Sequence, residues 1–119
     1  MGYRSDVAYI IRFKSYDDRA KYIEHLHSLK DANIEAALDE VALSLSEPMI
    51  TFSAEYTKWY DYYDDVKAHL FIYRESKNFN GIYRCVEVGE DGRTEIDALD
   101  DYYELEDYVY SVHRLEVNF

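Results

Sequence analysis

The sequence predicts an α+β domain: an antiparallel or mixed β-sheet of four to five strands, with two to three helices packed on one face. Three observations carry this. Apolar residues alternate with polar ones in stretches near 7–13, 50–56 and 82–88. Between those stretches they recur at helical spacing. The dipeptide Asp91-Gly92 then marks a hairpin near the end.

The elements follow in order β-α-α-β-α-β-β-β. Val7, Tyr9, Ile11 and Phe13 share one face, with Arg12 and Lys14 on the other, as in a half-buried strand. Ser15 followed by Asp18 can satisfy free amides at a helix start. That helix is expected to run to about Lys30 and to bury Ala20, Ile23, Leu26 and Leu29. Ile34, Leu38, Val41 and Leu45 predict a second helix ending before Pro48. Ile50, Phe52, Ala54 and Tyr56 line the inner face of the next strand. Asp61 or Asp64 is the expected cap of a third helix, with Val66, Leu70 and Tyr73 on its stripe, broken by Asn80-Gly81. The strand 82–88 turns through Glu90-Asp91-Gly92-Arg93, read as a type I′ turn, into a returning strand at 94–98. A last strand is expected over 108–119.

With 119 residues and neither linker nor repeat, residues 1–119 read as a single acidic domain. Asp and Glu number 25 against 13 Lys and Arg, a formal charge of -12. Such a field repels nucleic-acid phosphates and anionic membranes and draws in basic protein surfaces. No apolar run approaches the roughly 20 residues needed to span a bilayer. The lone Cys85 excludes an internal disulfide framework and fits a reducing cytoplasm.

The sequence carries no catalytic signature. His25 and His27 lie two apart on a predicted helix and point in different directions; His69 and His113 are isolated. Cys85 reads as a small buried hydrophobe. A Gly-rich phosphate loop is absent, and no cofactor is expected. The carboxylate clusters Asp61, Asp64, Asp65 and Asp97, Asp100, Asp101 have the chemistry to hold Mg²⁺ or Ca²⁺, but neither has the spacing of an EF-hand. A solvated acidic face is the simpler account, and no metal site is assigned. The more informative constellation mixes rings with acids. Trp59 and Tyr60 adjoin Asp61, Asp64 and Asp65. Tyr102 and Tyr103 adjoin Asp97, Asp100, Asp101, Glu104, Glu106 and Asp107. Exposed rings anchor protein interfaces and carboxylates steer toward Lys and Arg. The plain alternative is that half the tyrosines are core and the charge serves solubility.

The opening Met1-Gly2-Tyr3-Arg4-Ser5-Asp6-Val7 resembles the start of a family of small tailed-bacteriophage proteins. That family carries a WIKWY-like segment, a YGFIRIGED-like strand and a C-terminal Ser-x-x-Arg. Similar pieces here are Tyr56-Thr57-Lys58-Trp59-Tyr60, the stretch 81–91 and Tyr110-Ser111-Val112-His113-Arg114. Tyr56 stands where the family has its first Trp, and Cys85 and Glu87 interrupt its apolar strand. The resemblance implies a phage accessory protein acting in the bacterial host cytoplasm. Its partner would be a host protein with a basic or nucleic-acid-binding surface, engaged without direct nucleic-acid or membrane binding. The expected function is therefore non-enzymatic: a binder of the nucleic-acid-mimic, anti-restriction or anti-CRISPR type. The alternatives are a self-associating structural phage protein, forming a homodimer, and a small metal-assisted hydrolase built on Asp61 to Asp65.

Overall fold

A computed structural model describes residues 3–99. The final strand expected over 108–119 lies outside them, as do Asp100, Asp101, Tyr102, Tyr103, Glu104, Glu106 and Asp107. The described chain runs β1 (Ser5–Phe13), α1 (Tyr16–Ser28), α2 (Ala32–Leu38), β2 (Ala42–Leu43), β3 (Met49–Thr57) and α3 (Asp64–Glu75). A 3-10 turn (Ser76–Phe79), β4 (Gly81–Gly89) and β5 (Thr94–Leu99) complete it. The five strands form one antiparallel sheet in the order β2-β3-β1-β4-β5, and the fold is α+β as the sequence predicts. Up to β4 the connectivity is that of a ferredoxin-like, split β-α-β domain, with β5 added at the edge.

The helices pack on one face of the sheet. Val7, Tyr9, Ile11 and Phe13 meet Tyr22 and Leu26 of α1, Ile34 and Ala37 of α2, and Ala68, Ile72 and Tyr73 of α3. β1 is more than half-buried, however. As the central strand it also buries Ala8 and Ile10 on the opposite face, in a second apolar cluster with Met49 and Val86.

Local chemistry explains the element ends. The Ser15 hydroxyl accepts from the Asp18 amide at 3.1 Å and starts α1. The buried side of α1 is carried by Tyr22 and Leu26, whereas Ala20 and Leu29 are exposed. Lys30, at φ 52, ends it in the left-handed conformation. The second helix stops at Leu38, seven residues short of Leu45, which is 94% exposed. Tertiary contacts override the helical spacing there. Arg19 gathers the carbonyls of Ser44, Glu47 and Met49 at 2.8, 3.3 and 2.9 Å, and Ala42 and Leu43 pair with β3. Tyr63 occupies the cap position of α3. Asp64 and Asp65 fall in its first turn instead, where they complement the helix dipole.

The β4–β5 hairpin forms, but not through a type I′ turn. Glu90, Asp91 and Gly92 make a three-residue loop, closed by Gly92 N–H to the Gly89 carbonyl and Gly89 N–H to the Arg93 carbonyl, each at 2.8 Å. Only Gly92 has positive φ, at 85°, as in a type I turn followed by a left-handed residue. The extra loop residue sets the register that pairs Glu87 with Glu95 and Cys85 with Asp97.

Candidate functional site

One cleft, of about 380 Å³, opens on the helix-facing side of the sheet where α3 leaves β4 and β5 uncovered. Its floor comes from alternate residues of three strands: Ser5 on β1, Cys85 and Glu87 on β4, Glu95 and Asp97 on β5. Its walls are Tyr3, the loop Trp59-Tyr60-Asp61, and Leu70, Tyr73 and Arg74 of α3.

A bulge in β3 aims that loop. Ser5 pairs with Thr57 and Val7 with Ala54, so Asp6 faces two residues, Glu55 and Tyr56. The Asp6 carboxylate accepts the surplus Tyr56 amide at 2.8 Å. Tyr56 adopts φ 49 and turns outward under the Arg4 guanidinium, 5.1 Å from its ring centre. The alternation that predicts an inward Tyr56 is broken by this extra residue. Beyond the bulge Trp59 swings back toward the core, with ring centres 5.8 Å from Phe52 and 5.7 Å from His69. Trp59 is thus a half-buried wall rather than a projecting anchor.

The tyrosine hydroxyls around the cleft are engaged within the protein. Tyr3 donates its hydroxyl to Asp91 and its amide to the Tyr60 hydroxyl. Tyr73 donates to Asp97 at 2.8 Å, and Arg74 closes on the same carboxylate at 2.7 Å. Tyr60 is braced by Tyr62 and Tyr63, at ring-centre distances of 5.5 and 5.3 Å. Tyr3 also lies over Gly89, where any β-carbon would collide with its ring. These residues therefore present ring surface to the cleft.

Carboxylates supply its open polarity. Four acids, Asp61, Glu87, Glu95 and Asp97, line it against one cation, Arg74, which Asp97 already holds. Glu87 accepts the Ser5 hydroxyl at 2.8 Å. Burial holds the Glu87 carboxyl above the usual carboxylate range; Glu95 and Asp61 push the same way and the Ser5 bond opposes them. Arg93 stands on the rim, in a dent of about 50 Å³ beside Glu87 and Glu95. Burial also pushes the Cys85 thiol up to about 12, so it stays protonated at neutral pH.

Of the residues expected from sequence, Trp59, Tyr60, Asp61 and Asp97 meet in this cleft. Asp64 and Asp65 are exposed on the first turn of α3 and do not line it. Tyr3, Glu87 and Glu95 are additions that sequence reasoning missed. Glu87 carried a signal, as an acid in the inward register of an alternating strand.

A second polar constellation lies beneath the cleft wall. His69 is 2% exposed; its Nε2–H donates to Glu40 at 2.9 Å, leaving Nδ1 to accept the Tyr9 hydroxyl at 2.7 Å. The order hydroxyl–imidazole–carboxylate has the ingredients of an activated nucleophile. The Tyr9 hydroxyl, however, sits on a fully buried side chain, and burial raises its pKa well above the ordinary value. The chain of bonds therefore ties β1, α3 and the segment after α2 together. Among the described residues no group of three or more His, Cys, Asp or Glu side chains is placed to hold a metal ion.

No known family, curated protein or solved structure matches this chain. Among the described residues no helix is long and apolar enough to cross a membrane.

Proposed function

We propose that this chain is a non-enzymatic binding protein that engages a basic surface of a partner protein through its cleft side. The observation that supports this reading is the gathering of Asp61, Glu87, Glu95 and Asp97, from three separate elements, between aromatic walls. Carboxylates steer and orient a cationic partner, while rings contribute contact area at low entropic cost. In a bacteriophage setting, which the resemblance at 1–7 implies, the partner would be a host protein with a nucleic-acid-binding surface. The acidic chain would then occupy that surface as a decoy.

The test is association with a short polyarginine peptide across a salt series. The reading expects tight binding at low salt that weakens as the Debye length shortens to about 10 Å at 0.1 M. It also expects no binding to duplex DNA. Neutralising Asp61, Asp64 and Asp65 to Asn should slow association without changing the far-UV spectrum. Binding that is absent or indifferent to salt overturns it, and a salt-insensitive homodimer would support the structural alternative instead.

A further inference from the structure

The cleft has a narrower chemistry than a general acidic patch. Glu87 and Glu95 stand directly opposite each other on β4 and β5. Like charges in that position destabilise a sheet. Asp61 adds a third negative charge near Glu87. Among the described residues Asp61 and Glu95 make no side-chain hydrogen bond or ion pair, and rim residue Arg93 makes no ion pair with either glutamate. The Tyr3 hydroxyl donates to Asp91 and the Tyr60 hydroxyl oxygen accepts the Tyr3 amide, and both side chains offer ring surface. What is missing from this arrangement is a flat cation with several N–H donors.

We propose that the cleft seats one arginine side chain of the partner, its guanidinium forked between Glu87 and Glu95 and its plane against Tyr60 or Trp59. A guanidinium carries five donors in a rigid plane, is weakly hydrated and stacks on aromatic faces; an ammonium is a compact, strongly hydrated point charge. Two acceptor groups on adjacent strands between ring walls match the first. The volume of about 380 Å³ admits such a side chain together with part of its backbone. This assignment rests on the reading that the chain binds a basic protein, but it stands or falls at a different residue pair.

Trp59, the sole tryptophan, lines the cleft and reports on its occupancy. Its fluorescence should respond saturably to the tripeptide Gly-Arg-Gly. Gly-citrulline-Gly, which keeps the shape without the charge, should give no response, and Gly-Lys-Gly and spermidine should bind several-fold more weakly. Glu87→Gln with Glu95→Gln should weaken Gly-Arg-Gly about tenfold, the scale of a lost charge-assisted pair. Glu24→Gln with Asp39→Asn, exposed residues outside the cleft, should leave it unchanged. If polyarginine binds with its salt dependence while Gly-Arg-Gly is indifferent to the glutamate pair, the cleft assignment fails and the broader reading stands. If neither ligand binds, the broader reading fails as well. Lysine or spermidine binding as tightly as arginine removes the guanidinium assignment.

Discussion

His69 and Glu87 both lie on the helix-facing side of the sheet, and each meets a hydroxyl from β1, Tyr9 for the first and Ser5 for the second. Around His69 both ring nitrogens have partners, and Phe52 covers the ring at a centre distance of 4.1 Å. Around Glu87 one donor faces three carboxylates, counting Glu95 and Asp61. The comparison separates two uses of buried polarity. A closed, fully partnered group stabilises and fixes the packing of three elements, while a half-open, under-partnered one costs stability and keeps binding capacity in reserve.

The largest expected effect breaks the closed side. His69→Ala leaves a cavity between Phe52 and Trp59 and strips the buried Tyr9 hydroxyl of its acceptor. The loss should be about 3 kcal/mol in urea unfolding; a loss below about 1 kcal/mol would mean the network is incidental. Next comes pH. Burial lowers the His69 pKa below its ordinary 6.5, with the Glu40 bond opposing. The folded ring thus stays neutral where the unfolded one takes a proton. Its contribution is complete above the ordinary histidine range and declines as pH falls through and below it. The slope is at most about 1.4 kcal/mol per pH unit, and it should shrink in His69→Leu.

A change outside both regions sets the scale. Lys30→Gly removes the left-handed penalty at the end of α1 and should stabilise by about 0.5–1 kcal/mol in the same unfolding assay. The smallest effect tests the open side. Glu87→Gln removes a charge facing Glu95 while keeping an acceptor for Ser5, and should stabilise by about 0.5 kcal/mol at neutral pH. Because the Glu87 pKa is raised in the fold, the wild-type penalty is present above the carboxylate range and fades as pH falls through it. The gain from Glu87→Gln should fade with it, the opposite sense to His69. A destabilising Glu87→Gln would erase the contrast between the two regions.

Much of this architecture was legible in the residues. Alternation located β1, β3 and β4, and Gly92 located the hairpin. What escaped was decided by long-range contacts. The helical spacing through Leu45 lost to the three carbonyls drawn in by Arg19. The alternation through Tyr56 lost to a bulge anchored by Asp6, fifty residues away in sequence. The cleft escaped for a related reason. The turn length that brings Glu95 opposite Glu87 depends on Glu90 joining the loop, and Tyr3 precedes the first periodic stretch. Reading Asp91-Gly92 as a three-residue loop would have paired the two glutamates from sequence alone.

One consequence of the strand order concerns biosynthesis. β1 is made before both of its neighbours, β3 and β4; Ser5 meets Thr57 on one side and gains its second partner only when Gly89 has been made. Until β3 follows, the run Val7-Ala8-Tyr9-Ile10-Ile11 is an unpaired apolar strand on a nascent chain, and until β4 follows it keeps one open edge, the kind of segment that chaperones hold. The sheet therefore needs β4 to cover both edges of β1, and a truncation before β4 should yield aggregate rather than a smaller domain.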